Sequence, residues 1–326
     1  MRYCLSMQTD TLFRRSRYAK PQPKDRIIAI NERDLRIFEA IHRHGPLPTH
    51  YLFELAKGQG DSFNAFKHRL TQLYNGTLDG KRYLLRPKQQ YAAFNARYQY
   101  LVYELHSLSE VLLAENGRFS PYICSGKGHW VHQFMAACVS ASMELAALKS
   151  GHRFIGKHEI FARSSCPEST RQMENPLALP HQTFSATEYI VPDDLFGIEY
   201  AGIKPKYRFL AVEIDRNTES VERSNLRQSS FGRKIHAYLK VMRSRSYSAH
   251  WGIRNLRMCT VTTNRTHLRH LCAFVQKHVD AEFAGRFVFH AEPDFGSTWR
   301  IPPVMYDLLS RPWMQGDGGL FHIDHH

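Results

Sequence analysis

The chain reads as an α/β protein in two parts: an N-terminal winged helix-turn-helix, then a larger α/β domain in which helices cover a mixed sheet. Three observations predict this. Three short amphipathic helical segments follow one another between about residues 31 and 76 and lead into strand-like stretches rich in Tyr, Lys and Arg. Beyond about residue 129, apolar runs of strand length alternate with helical patterns. With 326 residues and 43% hydrophobic content, the chain can fill one or two ordinary cores without disulfides. The expected division is a basic arm over 1–28, the winged helix over 29–118, the α/β domain over 119–300 and a C-terminal tail over 301–326.

The first helix is expected in NERDLRIFEAIHRHG, where Leu35, Ile37, Phe38 and Ile41 fall at helical spacing, Asn31 stands as a cap and Gly45-Pro46 ends the run. PTHYLFELAK turns Leu52, Phe53 and Leu55 towards a core. DSFNAFKHRLTQLYNG places Phe63, Phe66, Leu70, Leu73 and Tyr74 on one face. Around its other sides stand Asn64, Lys67, His68, Arg69 and Gln72, side chains able to reach phosphates and base edges in a major groove. A basic surface helix with no such role has the same pattern. Lys81-Arg82-Tyr83-Leu84-Leu85-Arg86-Pro87 and the stretch from Tyr91 to Tyr103 then read as the strands of a β-wing, with Lys81, Arg82 and Arg86 as DNA contacts, and HSLSEVLLAENG as a closing helix.

In the second part, His129 to about Lys149 reads as a long apolar core helix, and residues 163–188, rich in Pro, Ser and Thr, as a loop. The order expected from His129 is helix, short strand (HEIFAR), strand (EYIVPDDLFGIEY), strand (YRFLAVEID), helix, strand (LRMCTVTTN), helix (THLRHLCAFVQKHVDAEF) and strand (RFVFHAE).

Lys and Arg total 44 against 30 for Asp and Glu, and a formal charge of +14 favours a polyanionic partner. No run approaches the roughly 18 apolar residues of a spanning segment, so double-stranded DNA is preferred to a membrane, and a cytoplasmic location is expected. The six cysteines, at 4, 124, 138, 166, 259 and 272, include no CxxC pair, and the 19 histidines show no zinc-site spacing. Reduced thiols and no zinc are the expectation.

Asp193 and Asp194 follow Pro192, and Glu213 and Asp215 stand two apart at the end of FLAV, on one face of a strand. If the two strands pair, Asp193, Glu213 and Asp215 bring together three hard oxygen ligands of the kind Mg²⁺ or Mn²⁺ takes, with Lys234 as the charge that stabilises a phosphorane. The alternative is that Asp215 and Glu219 are strand-end residues paired with Arg216 and Arg223. Tyr238, four residues beyond Lys234 on the same helical face, is a candidate nucleophile of relaxase type, or else packs on the sheet or hydrogen-bonds the acidic cluster. The basic residues from Arg223 to Arg257 read as a DNA-facing surface or as a solvated face.

The segments PDDLFGIEY, FLAVEIDRNTES and GRKIHAYLKVM resemble the plasmid replication-relaxation family, whose members show a Pro-Asp, an apolar strand ending in ExDxxTE, and a downstream Lys followed by Tyr. ERDLRIFEAI and KHRLTQLYNGTL are similar to that family's winged-helix half, so the resemblance covers roughly residues 30 to 290. It implies a domain of the PD-(D/E)XK restriction-endonuclease-like type, in which Asp193 and Glu213 are the acids and Lys234 is a lysine migrated to the helix. Asp215 departs from the pattern, standing where that superfamily usually has its lysine. The function implied is a metal-dependent DNA endonuclease or nickase at a plasmid or mobile-element origin, with replication, transfer or transposition proteins as partners. The alternatives are a non-catalytic origin-binding factor or transcriptional regulator on the same fold, and the nuclease subunit of a transposition machine.

Overall fold

The computed structural model describes residues 21–90, 100–122, 130–183, 186–202, 206–216, 231–295 and 301–325. The chain divides into two compact units, Met1–Phe119 and Ser120–His326.

In the first unit, helices α1 (Glu32–His44), α2 (Thr49–Ala56) and α3 (Phe63–Asn75) bury the apolar faces expected of them, with Ile37, Phe38, Tyr51, Leu52, Phe66, Leu70 and Leu73 fully enclosed. Enclosing a Phe or Leu side chain contributes about 1.5–3 kcal/mol. Asn31 caps α1 as expected: its side chain accepts from the Asp34 amide at 3.0 Å while Asp34 Oδ2 accepts from the Asn31 amide at 3.1 Å. Strands β1 (Leu47–Pro48), β2 (Leu84–Leu85) and β3 (Val102–Leu105) form an antiparallel sheet in the order β1-β3-β2, and α4 (Ser107–Glu115) closes the unit. Most of the strand expected over Tyr91 to Tyr103 lies outside the described residues, as does most of the basic arm.

The second unit is α/β, built on a seven-stranded mixed sheet. Its strands are β4 (Arg153–Gly156), β7 (Asp194–Tyr200), β8 (Lys206–Asp215), β9 (Arg257–Thr262), β10 (Phe287–Ala291), β11 (Trp313–Gln315) and β12 (Leu320–Phe321), in the order β12-β11-β10-β9-β8-β7-β4. The β8-β9 and β9-β10 pairs are parallel and the others antiparallel. Seven consecutive residues of β8, Phe209 to Asp215, are buried, as a central strand covered on both faces requires.

Alternation sends Leu195, Ala211, Met258 and Phe287 to the face covered by α6 (Lys157–Ala162), α8 (Phe231–Ser244) and α10 (Arg265–His278). Phe196, Val212, Cys259 and Val288 point the other way, where α5 (Trp130–Lys149) lies. By length and composition α5 is apolar enough to cross a bilayer, a property the residue-by-residue reading passed over. Yet 83% of its apolar window is buried, and it serves as a core helix. Cys138, Cys166, Cys259 and Cys272 are buried and form no disulfide among the described residues.

Five expectations need correction. HEIFAR is helix α6, and the strand precedes it at 153–156: Lys157, Ile160 and Phe161 are buried at helical spacing, with the stem of Lys157 taking an apolar position. The loop expected over 163–188 contains α7 (Glu168–Arg171) and β5 (Leu179–Gln182), whose Pro180 hides its alternation; β5 pairs with β6 (Thr187–Ile190) apart from the main sheet. EYIVPDDLFGIEY is therefore two strands, β6 and β7, broken at Pro192-Asp193. The helix over 266–283 ends at His278 and is followed by the short α11 (Ala281–Ala284). The tail is no tail: β11 and β12 extend the sheet, Trp313 and Ile323 are fully buried, and the Tyr200 hydroxyl donates to the Ile323 carbonyl.

Candidate active site

The hairpin β7-β8 pairs Asp194 with Val212, and the residue before it, Asp193, is held by both of its ends. Its amide donates to the Val212 carbonyl at 2.9 Å, and its Oδ2 accepts the Ile214 amide at 2.7 Å, so a carboxylate continues the ladder where the chain leaves it after Pro192. The same oxygen lies 2.8 Å from His132 Nε2, which α5 delivers from its first turns. Asp194 points elsewhere, to a buried ion pair with Lys157 at 2.8 Å.

Glu213, on the central strand, is completely buried. Helix α8 supplies both of its side-chain partners from one face: Lys234 Nζ lies 3.0 Å from Oε2, and the Tyr238 hydroxyl donates to Oε1 at 2.7 Å. Asp215, two residues on and also buried, instead meets His267 Nε2 in the first turn of α10, where Asn264 caps the helix. The expected trio is thus divided. Asp193 and Glu213 share a site with Lys234, Tyr238 and His132, while Asp215 is engaged by His267. Glu219 and Arg223 lie outside the described residues.

Burial pushes the Glu213 carboxyl up to about 7; the Lys234 charge opposes this and the Asp193 charge adds to it. Burial would lower His132, but the hydrogen bond and charge of Asp193 outweigh it and hold the imidazole above its ordinary value. Burial, then the charge of Glu213, raises the Tyr238 phenol well above its usual range. Of the roles open to Tyr238, the hydrogen bond to the acidic cluster is present: its enclosed hydroxyl sits on Glu213.

Thr260 and Thr262 pair in parallel register with Glu213 and Asp215, on the same sheet face. Both hydroxyls are fully buried with no hydrogen-bond partner among the described residues, a state that costs about 1–3 kcal/mol each. Asp193 engages the Ile214 amide and His132 through Oδ2. Hard oxygens with spare lone pairs suit a divalent cation, although no group of three or more His, Cys, Asp or Glu is gathered as a metal cluster among the described residues.

His132, His267, Thr260 and Thr262 were not singled out from the sequence. The threonines had a signal: in LRMCTVTTN, Met258, Thr260 and Thr262 alternate onto one face. The histidines had none, since they come from helices distant in sequence.

On the first unit, Asn64, Lys67 and His68 are exposed along α3, and Lys81 is exposed beside Asp79, with which it pairs at 3.0 Å. Arg69 is spent internally. Its guanidinium grips fully buried Asp34 through two nitrogens and also donates to the half-buried Gln72 side chain at 3.2 Å. Arg86 stacks on the Tyr74 ring at 4.0 Å and reaches the Tyr103 hydroxyl at 3.1 Å. Arg82 is half-buried.

No family model matches the chain, and no curated protein or solved structure does either.

Proposed function

We propose that the chain is a DNA-binding, Mg²⁺- or Mn²⁺-dependent endonuclease or nickase, its first unit a winged helix-turn-helix and its second a restriction-endonuclease-like domain. The reading rests above all on the meeting of Lys234 with Glu213 beside Asp193: two acids from a β-hairpin and a lysine from the following helix. Asp193 and Glu213 would hold the cation, which would supply neutralisation of a phosphodiester's charge and activation of water. Hydrolysis bonds a water oxygen to phosphorus as the bond to the leaving sugar oxygen breaks and that oxygen takes up a proton. Lys234, a third exposed, offers its charge to the phosphate. Tyr238 fixes the Glu213 carboxylate, and His132 stores a proton next to Asp193. By resemblance, the target is an origin of a plasmid or other mobile element.

A second reading, an origin-binding factor without catalysis, is favoured by one observation: Asp215, where the resembled superfamily usually has its lysine, is bound to His267. Incubating supercoiled plasmids carrying origin fragments with Mg²⁺ or Mn²⁺ separates the two. Open circles from the wild type, lost in Glu213→Gln, are expected. DNA retained in a mobility shift without any nicked or linear product sinks the endonuclease and leaves the binding factor.

A further inference from the structure

The opposite end of the same sheet, where β8 and β9 begin, has the reverse electrostatics. A cavity of about 600 Å³ opens there, lined by six arginines: Arg208, Arg243, Arg245, Arg254, Arg257 and Arg286. Its lining contains no carboxylate, and among the described residues only Arg243 has an acidic partner, Asp280. Guanidinium groups stay charged at any ordinary pH; Arg208 donates to the carbonyls of His322, Ile323 and His325 and Arg257 to that of Gly285, neutral acceptors that leave the positive charge of the walls unbalanced.

The crowding is built in. Arg208 and Arg257 lie over the same Phe321 ring, at 4.6 and 4.4 Å from its centroid. Burial, with Arg208 and Arg286 as like-charged neighbours, pushes the Arg257 guanidinium below its ordinary value. Arg245, before the short helix α9 (Ser246–Trp251), has φ 55°, the only positive φ at a non-glycine position among the described residues. A glycine would sit there without strain, so the Arg245 side chain can be removed at no cost to the backbone.

The walls are also fixed. Asn255 clamps the start of β8, its Nδ2 donating to the Tyr207 carbonyl at 2.9 Å and its Oδ1 accepting from the Phe209 amide at 3.0 Å. Tyr207 and Phe283, both half-buried, add ring surface, and the volume lies within the roughly 300–1,000 Å³ of small-molecule sites. Planar forks without acids, beside aromatic rings, suit phosphate oxygens and a stacked base.

We propose that this cavity is a phosphate-binding site of nucleotide size, with Arg245 and Arg254 gripping the anion at the rim. The phosphate comes either from a free nucleotide or from the phosphodiester backbone of a nucleic acid. The site stands at the other end of the sheet from Glu213 and does not depend on nuclease chemistry.

Titration calorimetry of the full chain in EDTA, with tripolyphosphate, ATP and a short single-stranded deoxyoligonucleotide in separate runs, tests this. The expected result is binding of ATP and tripolyphosphate, weakened about tenfold for each guanidinium removed in Arg254→Gln and Arg245→Gly. Arg245→Gly relieves the backbone, so its unfolding temperature stays level or rises while its affinity falls; a scaffold role for the side chain would lower both. Binding of the oligonucleotide alone, with the same dependence on both arginines, assigns the same chemistry to a nucleic-acid backbone. Absence of binding by all three probes, or affinities that neither variant changes, overturns the proposal. Because EDTA removes divalent cations, the result is independent of whether the chain cuts DNA.

Discussion

Replacing Lys234 with Met tests the electrostatics of the acidic site without reference to any substrate. In the fold, Glu213 is wholly enclosed and has two side-chain donors, Lys234 at 3.0 Å and Tyr238 at 2.7 Å. Its carboxyl titrates at about 7, against an ordinary 4.5, so the folded state holds the proton more tightly than the unfolded chain does. The contribution of Glu213 is therefore fully present below about pH 4.5 and is lost as pH rises through 7. Removing the ammonium raises the folded value further, and the loss then continues above pH 7. Two charges about 4 Å apart near a protein surface interact by about 4 kcal/mol, and breaking a buried pair costs about 3–5 kcal/mol. Lys234 is 32% exposed, which places the expected loss at pH 8 at about 2–3 kcal/mol. At pH 5, where Glu213 is already protonated, Lys234→Met is expected to be nearly neutral. Urea unfolding at pH 5, 6, 7 and 8, wild type against variant, reads the difference directly. A destabilisation independent of pH refutes the reasoning, because it would mean that Lys234 contributes packing and not charge.

Three further outcomes are expected. Gly252→Ala costs about 2–4 kcal/mol in urea unfolding, since φ is +68° and a Cβ would lie 2.0 Å from the Ser165 carbonyl oxygen; a loss under about 0.5 kcal/mol contradicts the backbone path. Thr260→Val leaves stability level or raises it, because the hydroxyl has no hydrogen-bond partner among the described residues, while the proposed metal-dependent nicking falls about tenfold; unaltered nicking removes Thr260 from the site. Lys67→Ala weakens DNA binding evenly across sequences and lowers the salt slope of log K by about one, as measured by mobility shift; an unchanged slope takes the exposed side of α3 out of the interface.

Features set by short-range pattern were legible in the sequence: the Asn31 cap, the buried stripe of α3, the core helix α5 and the run FLAVEID as a strand all follow from spacing alone. What escaped depended on partners far along the chain. HEIFAR was misread because a lysine stem fills an apolar position, and β5 because Pro180 interrupts its alternation. The strands β11 and β12 escaped because they are three and two residues long, too short for an alternation to show, and owe their place to β10. The same limit governed the site. Alternation placed Glu213 and Asp215 on one face, and helical spacing placed Lys234 with Tyr238. That Asp215 turns to His267 while Glu213 takes the lysine depends on how α8 and α10 lie across the sheet, which no local pattern encodes.

The two oxygens of Asp193 have separate consequences. Oδ2 receives the Ile214 amide and thereby pins the register of β7 on β8; a slip of one residue would turn Glu213 away from α8 and leave that amide unanswered. Charge and acceptor at this position can consequently be varied apart. Asp193→Asn keeps an oxygen for the amide and removes the negative charge, whereas Asp193→Ala removes both, so loss of activity in the alanine variant alone would report a misaligned hairpin. The residue proposed as a cation ligand is also the one that aligns the strand bearing Glu213, so the geometry of the site and the register of the hairpin rest on one side chain.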